Sequence, residues 1–310
     1  MTTASIIIPS YRGATRLPRL LSALAAQTTD DWEAIVVVDG DVDGSEHVIS
    51  KYSHLPIRTV VFPENRGRVA ALNAGHEAAR GDVLIRCDDD LEPAPDFVAN
   101  HVASHSSRRQ GTIGLCVNVL PRTRYSAVYG DHFGKLARNH AYRANPDGTW
   151  RYWAANVSVT RDIWQQIGTY DPHYRAYGWE DVDYGWRLHK AGIPVVIDPS
   201  LETKHHAAAV TAAIRAARAF RSGQARRIFD SLHGTNAAGP AAPEAVGLWN
   251  NAVLKTSLVL DYRRTIAMAR AVDAIIHITP TPIARKLIAL VVEAAVVAGH
   301  RSPENPERDF

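Results

Sequence analysis

Three consecutive acids, Asp88-Asp89-Asp90, follow directly on the apolar stretch Asp82 to Cys87. Carboxylates crowded together are costly unless a cation neutralises them, and an all-oxygen site suits Mg²⁺ or Mn²⁺. A divalent ion held there could in turn grip a diphosphate. The plainer reading is a solvated acidic turn. Position argues against it, because the acids stand at the carboxyl end of a predicted buried strand, where open α/β sheets bind ligands. Pro93 and Pro95 then keep that strand from running on. A second acid pair, Glu180-Asp181, opens a predicted helix, where carboxylates complement the helix dipole.

The elements that must position these groups alternate along the first ~100 residues, in the pattern of a parallel sheet with right-handed crossovers. Ser5 to Pro9 and Ala34 to Asp39 read as buried, β-branched strands, and Ile57 to Phe62 as a third. Leu17, Leu20, Leu21 and Leu24 have helical spacing, as do Val69, Leu72 and Ala79. Several strands end on polar residues that would gather along one sheet edge, which outlines a nucleotide site. It is not the dinucleotide kind, since no G-x-G-x-x-G follows the first strand.

Farther on, Thr112 to Leu120 reads as one strand, Arg122 to Trp150 as irregular, and Tyr152 to Val159 as another strand. Helices are expected over Thr160 to Ile167, with Thr160 as a possible N-cap, and over Glu180 to Ala191. From Ala207 the chain becomes helical and rich in alanine and arginine, with a linker over Gly234 to Pro243. The division expected is 1–206 for the α/β domain, split near residue 100 into nucleotide-binding and acceptor halves. Residues 207–300 form a helical region and 301–310 a flexible tail.

Bulk properties exclude several classes. The 310 residues are 46% hydrophobic and 22% charged, an ordinary globular composition, and a net charge of +3 gives no argument for nucleic acid. Cys87 and Cys116 lack metal-site spacing and suggest no disulfide framework, so a reduced, cytoplasmic setting is expected. No signal peptide is expected from the first residues. The apolar run Leu287 to Gly299 is interrupted by Glu293 and falls short of the ~18 to 20 residues needed to span a bilayer. Arg215, Arg218, Arg221, Arg226 and Arg227, mixed with Phe220, Ile228 and Phe229, fit either a solvated helix or peripheral contact with an anionic membrane at its inner face.

Taken in order, Ile6-Ile7-Ile8-Pro9-Ser10-Tyr11, Val36-Val37-Val38-Asp39, Asn65-Arg66-Gly67 with Asn73-Ala74-Gly75, Asp88-Asp89-Asp90 with Pro93, and Gly178-Trp179-Glu180-Asp181 resemble the inverting glycosyltransferases of family 2. The resemblance covers roughly residues 4 to 206. It implies a GT-A fold, a Rossmann-like, mainly parallel sheet flanked by helices, here with a C-terminal helical appendage. It also implies a metal-dependent transferase that moves a sugar from a nucleotide diphosphate sugar, uridine being the commonest base, to a hydroxyl on a glycan, lipid-linked or small-molecule acceptor. Pro9 and Tyr11 would shape the base pocket, Asp39 would bond the base or else cap a βα turn, and Arg66 would stand near the phosphates. Asp88, with Asp89 beside it, would face the ribose, and Asp90 would hold Mn²⁺ or Mg²⁺ with Asp88 and His205 or His206. Asp181 would be the general base with Glu180 beside it, while Asn156, Tyr177 and Trp179 would touch the sugars. A retaining transferase, a nucleotidyltransferase and a catalytically silent sugar-nucleotide-binding or scaffold protein are the rivals. Two departures stand out: the segment after Asp39 is lengthened around Asp41 and Asp43, and Leu72 occupies a position where the family often has arginine.

Overall fold

The computed structural model describes residues 3–175 and 178–302, and the chain divides into two compact units. The first takes Met1–Val119, Arg138–Pro172 and Glu180–Ala207, and the second takes Leu120–Ala137, His173–Trp179 and Ala208–Phe310. Residues 120–137 and 173–179, read from sequence as part of the acceptor half, thus belong to the unit of C-terminal helices. Of the expected tail, the part beyond Ser302 lies outside the described residues.

In the first unit, β1 (Ala4–Ser10), α1 (Leu17–Ala25), β2 (Trp32–Asp39), α2 (Ser45–Ser50), β3 (Ile57–Phe62), α3 (Arg68–Ala78) and β4 (Val83–Cys87) follow the predicted alternation. Then come β5 (Leu91–Glu92), α4 (Phe97–Ser104), β6 (Gly111–Ile113) and β7 (Cys116–Asn118). α5 (Asp131–Tyr142) begins among the residues of the second unit, and the first unit is completed by β8 (Asn156–Thr160), α6 (Arg161–Ile167), α7 (Glu180–Lys190), β9 (Val195–Ile197) and β10 (Thr203–His205). The main sheet has the order β3-β2-β1-β4-β8-β6-β9. Its first four strands are parallel, β8 is antiparallel to both neighbours, and β9 is parallel to β6. A small second sheet, β5-β10-β7, pairs β10 antiparallel to β5 and parallel to β7. This is the expected α/β architecture, a mainly parallel sheet flanked by helices.

Both faces of the parallel strands are covered, so β1 and β2 are buried along their whole length. Ile6, Ile8, Val36, Val38, Ile85 and Cys87 pack with the leucines of α1 on one face. The helix α3 lies on the other face, and close. A methyl group on Gly75 would stand 2.5 Å from Ile7 Cγ2 and 3.3 Å from Val37 Cγ2, so the Asn73-Ala74-Gly75 glycine is a contact surface between helix and sheet.

The predicted strand over 112–120 is instead two short strands in different sheets. The break falls at Gly114, where a side chain would collide with Asn156 Nδ2 and the Leu201 carbonyl, both at 2.2 Å. Residues 131–142, read as irregular, form α5, whose Phe133 and Leu136 stay 39% and 53% exposed and so give no buried stripe for periodicity to reveal. Thr160 does stand at the N-cap of α6, but its hydroxyl bonds Asp162 rather than a helix amide.

The second unit is a helical assembly of α8 (Ala212–His233), α9 (Gly247–Val259), α10 (Tyr262–Ile275) and α11 (Thr281–Arg301), joined by Tyr125, Val128 and Tyr129. Residues 234–246 link α8 to α9 without regular structure, as expected. Alanines on α8, at 212, 216 and 219, meet Ile288, Val291 and Ala295 of α11. The helices touch backbone to backbone: a methyl group on Gly223 would lie 2.2 Å from the Val296 carbonyl, and one on Gly299 1.9 Å from the Phe220 carbonyl. Phe220 and Phe229 are buried in this unit, so the arginine-rich helix spends its aromatic residues on packing, while Ile214 and Leu232 stay exposed. No helix among the described residues is long and apolar enough to cross a membrane.

Two predictions follow from this packing. Gly299→Ala should lower the unfolding free energy by at least the ~1 to 3 kcal/mol typical of overpacking, read by calorimetry, whereas Gly234→Ala acts only through its backbone angle. The second concerns His76 and His101, 4% and 0% exposed, which burial holds at pKa values of about 4 and about 3. Unfolded, each titrates near ~6.5, so below that pH the unfolded chain binds more protons. Their contribution is complete above about pH 6.5 and is lost as pH falls through about 4 and 3. The midpoint should drop over that window, less steeply in His76→Gln.

Candidate active site

The carboxyl ends of β1, β2 and β4 deliver Ser10, Asp39 and the triple aspartate to one edge of the sheet. The three acids then go separate ways. Asp89 is 6% exposed and turned inward: it accepts from Ser10 Oγ at 2.6 Å and from Arg16 Nε and Nη2 at 2.9 and 2.8 Å. Arg16 also donates to the Tyr11 carbonyl at 2.8 Å, so Asp89 secures the loop after β1. Its hydrogen-bonding capacity is taken up by the chain itself.

Asp88 turns toward two arginines. Arg86 Nε donates to its Oδ1 at 2.8 Å and Nη2 to its Oδ2 at 3.2 Å, while Arg68 Nη1 stands 3.9 Å from Oδ2. The other guanidinium nitrogen of Arg86, Nη1, donates to Asp181 Oδ1. Glu180 lies beside this cluster, 3.7 Å from Arg68, and is 2% exposed with neither carboxylate oxygen hydrogen-bonded. Burial, and next the charge of Asp181, push its pKa up to about 7. Burial also raises Asp181, against the pull of Arg86.

Asp90 points elsewhere. Its Oδ2 is 3.3 Å from His205 Nε2, and its buried Oδ1 has no hydrogen-bond partner. Burial works against its charge, but the bond from His205 together with the charges of His205, Arg68 and Arg16 holds its carboxyl below the usual range. His205 Nδ1 is held by Asn118 Oδ1 at 2.7 Å, so Nε2 is the nitrogen directed at the carboxylate. The small sheet fixes the pair, with His205 opposite Leu91 and the His206 amide donating to the Asp90 carbonyl at 2.9 Å. The donor set fits a hard divalent ion that takes one or two protein ligands and completes its shell with phosphate and water. Asp88 does not join it, and His206 bonds Glu92 Oε2 at 2.7 Å. No cluster of three or more His, Cys, Asp or Glu suited to a metal occurs among the described residues.

Other predicted residues are placed as follows. Pro9 is buried in β1 opposite Val37. Tyr11 is half-buried, with the Arg12 guanidinium 5.3 Å from its ring centre. Asp39 accepts from the Arg66 and Gly67 amides at 2.6 and 2.9 Å, and burial raises its pKa despite them. The Arg66 guanidinium lies over Phe62, 4.6 Å from the ring centre. Asp41 and Asp43 both accept from the Ser45 amide, at 2.8 and 3.2 Å, so the lengthened segment after Asp39 caps α2.

Asn156 is 1% exposed and bonded to His101, the Leu201 carbonyl and Thr203; it joins β8 to its neighbours and is not brought to the cluster. Trp179 belongs to the second unit, where its indole donates to Ser222 at 3.1 Å and packs on Phe229. It adopts φ +70°, uncommon for a bulky residue. Tyr177 lies outside the described residues.

Sequence reasoning passed over Arg86. An arginine inside an otherwise apolar strand is itself the signal, since such a charge is tolerated only with partners.

The profile of glycosyl transferase family 2 matches residues 5–164, more than half of the chain. The chain belongs to that family. Validoxylamine A glucosyltransferase of Streptomyces hygroscopicus subsp. jinggangensis is 29% identical over 224 residues, covering 62% of this chain and 53% of that protein. This family 2 chain thus spans about half the length of that curated relative. Among solved structures, the mannosyltransferase PcManGT from Pyrobaculum calidifontis, in complex with GDP-Man and Mn²⁺, superposes with a TM-score of 0.60 at 17% identity, covering 95% of this chain and 86% of that one. S. aureus TarS 1–349 with UDP-GlcNAc gives 0.53 at 14% identity, covering 96% and 90%. These likenesses establish the GT-A fold of this family member.

The pKa of Glu180 gives a prediction with a definite sign. Its folded value is raised to about 7 from 4.5, so its contribution is complete below about pH 4.5 and is lost as pH rises through 7. Glu180→Gln should therefore raise the unfolding free energy more at pH 8, by up to ~3 kcal/mol, than at pH 5, read by denaturant titration at the two pH values. Equal effects at both pH values would contradict the assignment.

Proposed function

We propose that the chain transfers a sugar from a nucleotide diphosphate sugar to an acceptor hydroxyl with inversion at the anomeric carbon. The observation that carries this reading is a pair of acidic centres beside the carboxyl end of β4: Asp90 with His205, and Asp181 with Glu180 at the start of α7, tied to β4 through Arg86. The first would hold Mn²⁺ or Mg²⁺ against the diphosphate, where a divalent ion supplies charge stabilisation to the departing nucleotide diphosphate. Asp90 Oδ1 and His205 Nε2 are the atoms available for it. The second would receive the acceptor. Asp181, bonded to Arg86, is the base that would take the hydroxyl proton, and Glu180 would accept hydrogen bonds from sugar hydroxyls.

Asp39, Arg66 and the loop of Tyr11 would border the nucleoside, with Pro9 behind them and Arg68 beside Asp88 near the phosphates. A lipid-linked acceptor would suit the exposed apolar side chains of the second unit, among them Leu248 and Ile278 at 94% and 87% exposure.

One observation favours a second reading of the base. Glu180 has two unbonded oxygens and a pKa of about 7, the range in which a general base works best, so the proton could pass to Glu180 instead.

Calorimetric titration with UDP, GDP, TDP and their sugars, with and without Mn²⁺ or Mg²⁺, tests the donor reading. One nucleotide should bind in a metal-dependent way, and Asp90→Ala should abolish the metal dependence. Absence of binding by every nucleotide under either metal would remove the transferase reading. With the donor known, Asp181→Asn should lower kcat by ~10²- to 10⁴-fold with donor binding kept. That loss appearing in Glu180→Gln and not in Asp181→Asn would transfer the role of base. The anomeric configuration of the product, read by NMR, separates inversion from retention.

A further inference from the structure

Arg86 is 1% exposed near the carboxyl end of β4, between Ile7 of β1 and Val157 of β8. Each guanidinium nitrogen is engaged, Nε and Nη2 with Asp88 and Nη1 with Asp181. Its planar fork spans two carboxylates from distant parts of the chain, which a lysine could not do in the same geometry. Tyr170 supports it from beneath, with its ring centre 5.8 Å from the guanidinium carbon. Asn73 holds Tyr170 in place through paired bonds to its backbone, both 2.9 Å.

The helix α3 borders the same group. Gly75 rests on Ile7, the strand neighbour of Arg86, so α3 covers the sheet face toward which Ile7 projects. Arg68, Leu72 and His76 follow one another at four-residue spacing, a single stripe of the helix. Both ends of the stripe feel the charge of Arg86, and Arg68 reaches Asp88 and Glu180. Leu72, fully buried, occupies the middle.

We propose that Arg86 is the positioning residue of this site, fixing Asp181 and Asp88 relative to each other, and that an arginine at residue 72 of α3 could supply the same guanidinium from the helix side. The catalytic part of this inference rests on Asp181 acting as base, while the exchange of positions does not.

The experiment compares the full chain with Arg86→Met, Arg86→Lys and the double variant Leu72→Arg/Arg86→Met. The first readout, the thermal midpoint without substrate, is independent of function. Arg86→Met leaves buried acids uncompensated and should lose ~10 °C, of which the double variant recovers at least half. If Arg86→Met does not fold, a folded double variant supports the exchange and an unfolded one overturns it. The second readout uses the donor chosen by nucleotide binding. Arg86→Met should lower kcat by ~100-fold with donor KM changed less than ~3-fold, Arg86→Lys should recover little, and the double variant should regain at least tenfold. A rise in donor KM with kcat kept would overturn the positioning role. A rescued midpoint in a chain that binds no nucleotide sugar would sustain the exchange and refute the proposed function instead.

Discussion

The structure is organised around the problem of keeping five carboxylates, Asp88, Asp89, Asp90, Glu180 and Asp181, buried or half-buried in the first unit. Uncompensated, they would oppose folding by mutual repulsion and lost hydration. Each is treated differently. Asp89 is neutralised by Arg16, Asp88 and Asp181 share Arg86, Asp90 has His205, and Glu180 shifts its pKa toward neutrality. Two groups keep unused lone pairs after this distribution, Asp90 Oδ1 and the Glu180 carboxylate. The electrostatics of folding thus decide which acids are available for chemistry.

The rigidity such an arrangement needs comes from an aromatic layer under the cluster. Tyr170 stacks on Tyr184 at 4.6 Å, Tyr184 lies over Trp164 at 5.7 Å, and Trp164 stacks on His76 at 4.0 Å. The layer joins α3, α6 and α7 around Arg86. Arg187 adds to it by bonding Asp183 and the carbonyls of Ile167 and Thr169, which fixes the first turn of α7 and with it Glu180 and Asp181.

Much of this was legible in the residues. Buried β-branched runs gave the parallel strands, leucine spacing gave α1, and the order of short motifs gave the family. The triple aspartate was legible as a cluster, but not its division of labour, because neighbours in sequence point to opposite sides of a chain leaving a strand. Asn156 looked like a ligand contact because it is polar within a strand, yet its partners come from residues more than forty positions away. The role of Asp41 and Asp43 as caps of α2, and the choice of His205 over His206 to face Asp90, depend on turn geometry and strand register that composition does not encode. Arg86 is visible as a charge inside an apolar run, but its role rests on a bond to Asp181, 95 positions away, which no local pattern encodes.

The small sheet β5-β10-β7 has a bearing on how the molecule is made. Asp90 and His205 are brought together only when β10 has paired with strands formed from residues 91–92 and 116–118. A chain emerging from the ribosome exposes Asp90 long before His205 exists to meet it, and closing so long a loop is among the slower events of folding. The Asp90–His205 pair is therefore a late product of synthesis. An unfinished first unit has its triple aspartate but lacks the histidine, so a partly made chain has not yet formed the pair on which the proposed cation site depends.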